Sequence, residues 1–290
     1  MAPANELPLT GWRRLRTYRF PVLMLPLVVA MVAFAGVNQL VAAIPVLALL
    51  VGVGLAIAGV LGYRWLVKTV ELRPEIVELA KQRKWSGLGG GALLGFGLFT
   101  ALMLLIAMFG GWQDLSWGSF GGFVAAIGAM ASVAVMEEVA FRGVLFRVLE
   151  QRAGTVISLV LSAVLFGAIH LFNTNATLWG ALSIGLTGGT MLASAYVVTR
   201  SLWLPIGLHF GWNFTHSGVF GAVLSGSDTA PHGLLDITLS GPSALTGGTF
   251  GPEASLLALL VCLVPTVVFL RRAARTGRIQ SRPRPVQAGS

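Results

Sequence analysis

Apolar residues run in long blocks along this chain, and polar ones gather between them. The blocks fall at approximately 20–36, 40–62, 88–110, 120–146, 155–172, 177–199, 202–222 and 254–270. Each is long enough to cross a roughly 30 Å hydrocarbon core as a helix. Only Asn38 and Gln39 separate the first two. The pattern predicts an all-α, polytopic integral membrane protein of about eight transmembrane helices. No tandem repeat and no separate soluble domain interrupts it.

Composition agrees with the pattern. The chain is 55% hydrophobic and 11% charged, with mean hydropathy +0.81, against about 25% charged residues in an average soluble domain. Its single cysteine, Cys262, excludes an intramolecular disulfide and a cysteine-based metal site, and reads as a packing residue.

The positive charges give the topology. Of the 20 Lys and Arg residues, all but Arg142 lie before the first block or on every second connection. They are Arg13, Arg14, Arg16 and Arg19; Arg64, Lys68, Arg73, Lys81, Arg83 and Lys84; Arg147 and Arg152; Arg200; and the six arginines from Arg271 to Arg284. The other connections hold Asp114, Asp228, Asp236 and Glu253. By the positive-inside rule both termini are cytoplasmic, in a multi-pass protein of the cell membrane. The net charge of +9 is then topological and directed at the lipid bilayer. It is divided among loops and forms no nucleic-acid footprint.

The domain organisation follows: a basic cytoplasmic tail at 1–19, one transmembrane helical domain at 20–270, and a basic, Pro-rich, disordered cytoplasmic tail at 271–290. Residues 64–86 read as an amphipathic helix on the cytoplasmic surface. Pro252 and Glu253 read as ordinary helix-start residues at the end of a Gly-rich outer loop. The first block with Ala33-Phe34-Ala35-Gly36 also matches a cleavable signal peptide, but an uncleaved first helix is the favoured reading.

Against this background MEEVAFRGVLF, residues 136–146, is out of place. Glu137, Glu138 and Arg142 each cost several kcal/mol at the bilayer centre (about 2.5–3.5 on insertion scales). Two other blocks carry the remaining membrane-depth groups: LFGAIHLF with Phe166 and His170, and LHFGWNFTH with His209, Asn213 and His216. A short turn near Ala153-Gly154 makes blocks four and five an antiparallel hairpin, with Glu137 and His170 at one height. Glu137 then lies about 15 Å beyond Arg147, and His209 about 13–14 Å beyond Arg200, at 1.5 Å per residue.

Spacing divides the labour. Glu138 and Arg142 are i and i+4 with Glu first, the favoured order for an ion pair. Glu137 is turned about 100° away, free to act as a base on water. His209 and Asn213 share a face, and Asn213 can donate to an oxyanion. His170 and His209 can orient the water or bind a metal that holds it. These groups together point to water-mediated hydrolysis of an amide bond in a buried active-site cavity. His216 and His232 read as helix-bridging residues.

In these motifs the chain resembles the CPBP family, the CAAX-protease and bacteriocin-processing (Abi) intramembrane proteases related to the type II CAAX prenyl endopeptidases. The shared pattern is Glu137-Glu138-xxx-Arg142, Phe166-xxx-His170 and His209-xxx-Asn213, in that order on three apolar blocks, within a catalytic core of about 88–222. The resemblance implies that Glu137 activates water, that His170 and His209 complete the site, and that Asn213 stabilises the oxyanion. The family's usual label is metalloprotease, and Glu137, His170 and His209 can be written either as a His2Glu zinc (Zn2+) site or as a metal-free set. The implied partner is a membrane-associated peptide or protein substrate.

Two other classes compete: a proton- or ion-coupled transporter using the same groups as a relay, and a non-proteolytic scaffold or immunity protein. No inverted repeat supports the first. No HExxH, GxSG or intramembrane aspartate pair suggests another protease class.

Overall fold

The computed structural model describes residues 18–227 and 233–282. Arg13, Arg14, Arg16, Asp228, His232 and Arg284 lie outside them. Twelve elements matter below: α1 Arg19–Val41, α2 Pro45–Glu71, α3 Lys84–Met108, β1 Trp112–Trp117, α4 Phe120–Glu138, α5 Arg147–Ile169, α6 Leu178–Ile184, α7 Thr190–Thr199, α8 Trp203–Asn213, β2 Leu235–Leu239, the short α9 Ser243–Thr246 and α10 Leu256–Arg275. Helices α4 and α5 are continuous through a π-helical stretch at Val139–Phe146, α6 and α7 through another at Gly185–Gly189, and α8 continues as a third at Phe214–Val219.

The protein is an all-α membrane protein apart, among the described residues, from one two-stranded antiparallel sheet, β1 with β2, which the hydropathy pattern did not foresee. Among the described residues six helices are long and apolar enough to cross a membrane. One of these, Phe120–Phe172, is bent back on itself at Gly154 (φ 79°, ψ 171°), a left-handed backbone that favours glycine. The rings of Phe141 and Phe166, on either side of that turn, meet at 5.0 Å, so the two arms lie side by side as an antiparallel hairpin. The rod from Trp203 to Val219 is shorter than the six.

Helix starts follow their capping residues. Ser119, Thr177 and Ser255 each accept a hydrogen bond from the backbone N–H three residues on, satisfying donors that a helix leaves orphaned. Pro45 sits in the first turn of α2, where its missing N–H costs nothing. The break between α1 and α2 therefore falls at 42–44 and not at Asn38-Gln39. Ala33 to Gly36 lie inside the unbroken α1.

Close helix packing depends on small residues. A Cβ on Gly91 or Gly95 of α3 would stand 2.4 or 2.3 Å from the Leu204 or Leu208 carbonyl oxygen of α8, and one on Gly207 or Gly211 would stand 2.2 or 2.1 Å from the Leu88 or Ala92 carbonyl oxygen of α3. The two helices thus press backbone on backbone through reciprocal Gly-xxx-Gly rows, the membrane solution where lipid offers no hydrophobic drive for association. Gly52 and Gly128 join α2 to α4 in the same manner.

The basic connections come together at one end of the bundle, and the sheet occupies the other. Arg147 pairs with Glu71 at 2.8 Å, Arg73 with Glu78 at 2.7 Å, and Arg200 with Glu150. The Tyr63 hydroxyl lies 2.7 Å from Glu78 Oε1 and 2.9 Å from the Gly143 carbonyl oxygen.

Two expectations are corrected here. Residues 64–86 are not one surface helix: α2 runs to Glu71, two 3-10 turns follow, and α3 begins at Lys84. Glu71 and Glu78 are buried because arginines neutralise them. In the C-terminal segment, where a disordered tail is expected from residue 271, the described residues are structured. α10 continues to Arg275, and Gln280 then exchanges hydrogen bonds with Thr155 beside the Gly154 turn.

Candidate active site

Glu138 ends α4 and is 0% exposed. A carboxylate sealed in an apolar bundle needs partners for both charge and lone pairs. Arg142 Nη1 supplies one at 2.7 Å, one turn along. His209 Nδ1 supplies another at 2.9 Å, on the same Oε1. The Arg142 guanidinium also donates to the Gly188 and Gly189 carbonyls at 3.3 and 3.1 Å and lies 4.6 Å above the Phe166 ring, a cation–π contact. One buried arginine therefore ties together three of the segments that build the site.

The π-helical stretches explain how those groups are free to pair. Arg142 lies within the first, the two glycine carbonyls belong to the second, and the third begins immediately after Asn213. A π turn widens the helix and leaves carbonyls off the regular ladder, and such turns recur at functional sites.

Glu137 has a different environment. Its side chain is 14% exposed, and Oε2 is a buried oxygen without a hydrogen-bond partner. That oxygen faces His209 Nε2 at 3.8 Å. Because His209 Nδ1 donates to Glu138, the neutral ring presents an Nε2 lone pair on its other edge. His170 is set up alike: its Nδ1 lies 2.7 Å from the Phe166 carbonyl, which can only accept, so its lone pair also lies on Nε2.

His170, His209 and Asn213 line one cavity together with Phe166, Gly188, Trp212, Ser225 and Glu253. Its volume is about 30 Å3, and an ordered water needs about 10–15 Å3 on this measure. A hydrolytic water fits. The Phe166 ring contacts both imidazoles, 5.2 Å from His170 and 6.1 Å from His209. The hairpin brings His170 to the cavity as anticipated, but at the very end of α5, where the chain turns out of the helix.

The zinc reading requires three donors around one point. Among the described residues no group of three His, Cys, Asp or Glu side chains is placed to hold a metal ion. Glu137 and His209 approach each other at 3.8 Å, while His170 Nδ1 is taken up by the Phe166 carbonyl. The His2Glu set does not close in this arrangement.

Three of the polar side chains that line the cavity were not legible as such in the sequence. Trp212 lies on α8 three residues after His209, on the same face, a signal that was available. Ser225 and Glu253 come from the loop after α8, which folds back into the bundle. Asn173 donates to the Ser225 carbonyl at 2.7 Å, Trp179 to the Ala254 carbonyl at 2.8 Å, and Ser183 to the Glu253 carbonyl at 2.8 Å. Glu253 is thus no ordinary helix-start residue: it sits in a buried 3-10 turn, and α10 begins only at Leu256.

Residues 117–215 match the family model described as Type II CAAX prenyl endopeptidase Rce1-like. This stretch contains Glu137, Glu138, Arg142, His170, His209 and Asn213, and the match supports the CPBP and CAAX-protease family that the three motifs resemble. It supports, at that level, an intramembrane protease acting on membrane-associated peptides. No curated protein and no solved structure matches the chain.

Proposed function

We propose that this protein is an intramembrane endopeptidase that cleaves peptide bonds of membrane-associated peptides or proteins with water activated by Glu137. The observation that carries this reading is the pairing of two adjacent carboxylates with opposite environments. Glu138 is fully buried with its Oε1 locked by Arg142 and His209, while Glu137 is partly exposed and faces the same imidazole at 3.8 Å with no arginine paired to it among the described residues.

In the proposed reaction Glu137 takes a proton from a cavity water as the water oxygen bonds to the peptide carbonyl carbon. The Nε2 atom of His209 accepts the water's second O–H and so orients its lone pair, and His170 completes the cavity wall beside it. Asn213 donates an amide N–H to the oxyanion. The tetrahedral species collapses with cleavage of the C–N bond, and Glu137 passes its proton to the leaving amine. Both termini and the arginine-rich end face the cytoplasm in this reading.

The test is cleavage of a fluorogenic library of membrane peptides by purified protein in detergent, wild type beside Glu137→Gln, with metal content measured on the same samples. A positioned base contributes about 10²–10⁴-fold, so Glu137→Gln should lose at least 100-fold in rate while unfolding at the wild-type temperature. Equal rates for the two proteins would remove Glu137 from the chemistry. Stoichiometric zinc whose chelation stops cleavage would replace the metal-free step.

A further inference from the structure

On its loop side the cavity ends in a carboxylate that the hydrolysis leaves unused. Glu253 is buried and lines the cavity. Trp212 Nε1 donates to its Oε1 at 2.6 Å, and the Ser225 hydroxyl donates to Oε2. Among the described residues its ion-pair neighbour is His216, with Nδ1 at 3.8 Å from Oε2. That imidazole is 0% exposed, stacks on Phe99 at 4.4 Å, and has no hydrogen-bond partner at either nitrogen. No Lys or Arg among the described residues pairs with Glu253, and none occurs in the sequence from 223 to 253.

A loop anchor does not call for this charge. A neutral amide would accept from Trp212 and pair with Ser225 equally well, without the cost of burying a carboxylate. Glu253 is the one carboxylate among the described residues that line the cavity, and no Lys or Arg lines it. Arg142, the buried guanidinium beside the glutamate pair, is already committed to Glu138. The imidazoles of His170 and His209 line the same cavity, and in its neutral form each turns an Nε2 lone pair away from its Nδ1 partner. The complement to such a wall is a compact cation rich in N–H donors.

We propose that Glu253, clamped by Trp212 and Ser225, is a specificity-determining residue that receives the ammonium or guanidinium group of a basic substrate side chain beside the scissile bond. The inference rests on the endopeptidase reading for its meaning, yet binding tests it without cleavage. The probes are fluorescent apolar peptides, blocked at both ends and carrying a single Lys or a single norleucine at scanned central positions. Binding is read by anisotropy on the Glu137→Gln protein in detergent.

At one position the Lys peptide should bind about tenfold more tightly or better, as close charge pairs across an interface do. Adding Glu253→Gln should bring the Lys-to-norleucine ratio near one and leave norleucine affinity unchanged. If that variant does not fold, Ser225→Ala, which keeps the carboxylate and frees one oxygen, should still change the ratio. Equal affinities at all positions, or a ratio that survives Glu253→Gln in folded protein, overturn the inference. Wild-type cleavage of the same peptides separates the two readings: cleavage indifferent to Lys sinks this inference alone, whereas Lys-selective binding without cleavage supports it and sinks the hydrolase reading.

Discussion

His209 Nδ1 lies 2.9 Å from Glu138 Oε1, the oxygen that also receives Arg142. The second glutamate of the pair is therefore more than the counter-ion of an arginine. It fixes which edge of His209 faces Glu137, and so couples α4 to α8 and orients the ring assigned to the water in the proposed reaction. A carboxylate behind an imidazole is a general way to set tautomer and direction.

Removing Glu138 should damage stability more than any other single change in the site. Glu138→Ala leaves Arg142 buried without its anion, and breaking a buried pair from one side costs about 3–5 kcal/mol. The double variant with Arg142→Met should recover much of that loss. Thermal unfolding in detergent measures both, and a double variant whose loss equals the sum of the singles would show that the two residues do not act as a pair.

Asn213→Ala should act on rate and leave substrate affinity nearly unchanged. Loss of one oxyanion donor typically lowers kcat about 10²–10³-fold. Steady-state kinetics on a cleavable peptide distinguish this from a binding role, which would raise KM at constant kcat.

Gly211 should tolerate no side chain. A Cβ there would stand 2.1 Å from the Ala92 carbonyl oxygen, so Gly211→Ala must separate α8 from α3 and shift His209 away from Glu138. Overpacking of this sort costs about 1–3 kcal/mol, and activity should fall with stability. Gly54→Ala, whose Cβ would meet nothing within 4 Å, is the matched control. Equal melting temperatures for the two variants would contradict the packing argument.

Orientation can be read by labelling. Cys262 is buried, so the parent protein should react little with an impermeant maleimide. Ser116→Cys on exposed β1 should label in intact cells, and Ser281→Cys at the arginine-rich end only after lysis. The reverse pattern would invert the proposed topology.

The sequence by itself determined the helical membrane class, the grouping of basic connections at one end, and the three helices that carry the ionisable groups. Those features are local. Hydrophobic run length sets a span, and i to i+4 spacing places Glu138 with Arg142 whatever surrounds them. The Gly-xxx-Gly rows of α3 and α8 are also written in the sequence, although which helix each row meets is not.

Only the tertiary structure decided that His209 bonds Glu138 while facing Glu137, that Phe166 contacts both imidazoles, and that β1 and β2 pair. It also decided that Glu253 leaves its apparent place at a helix start and closes the cavity from a loop folded into the bundle. Each depends on groups far apart along the chain meeting in a low-dielectric interior, where every buried charge and backbone group must find a partner. Periodicity along one helix carries no information about which partner that is.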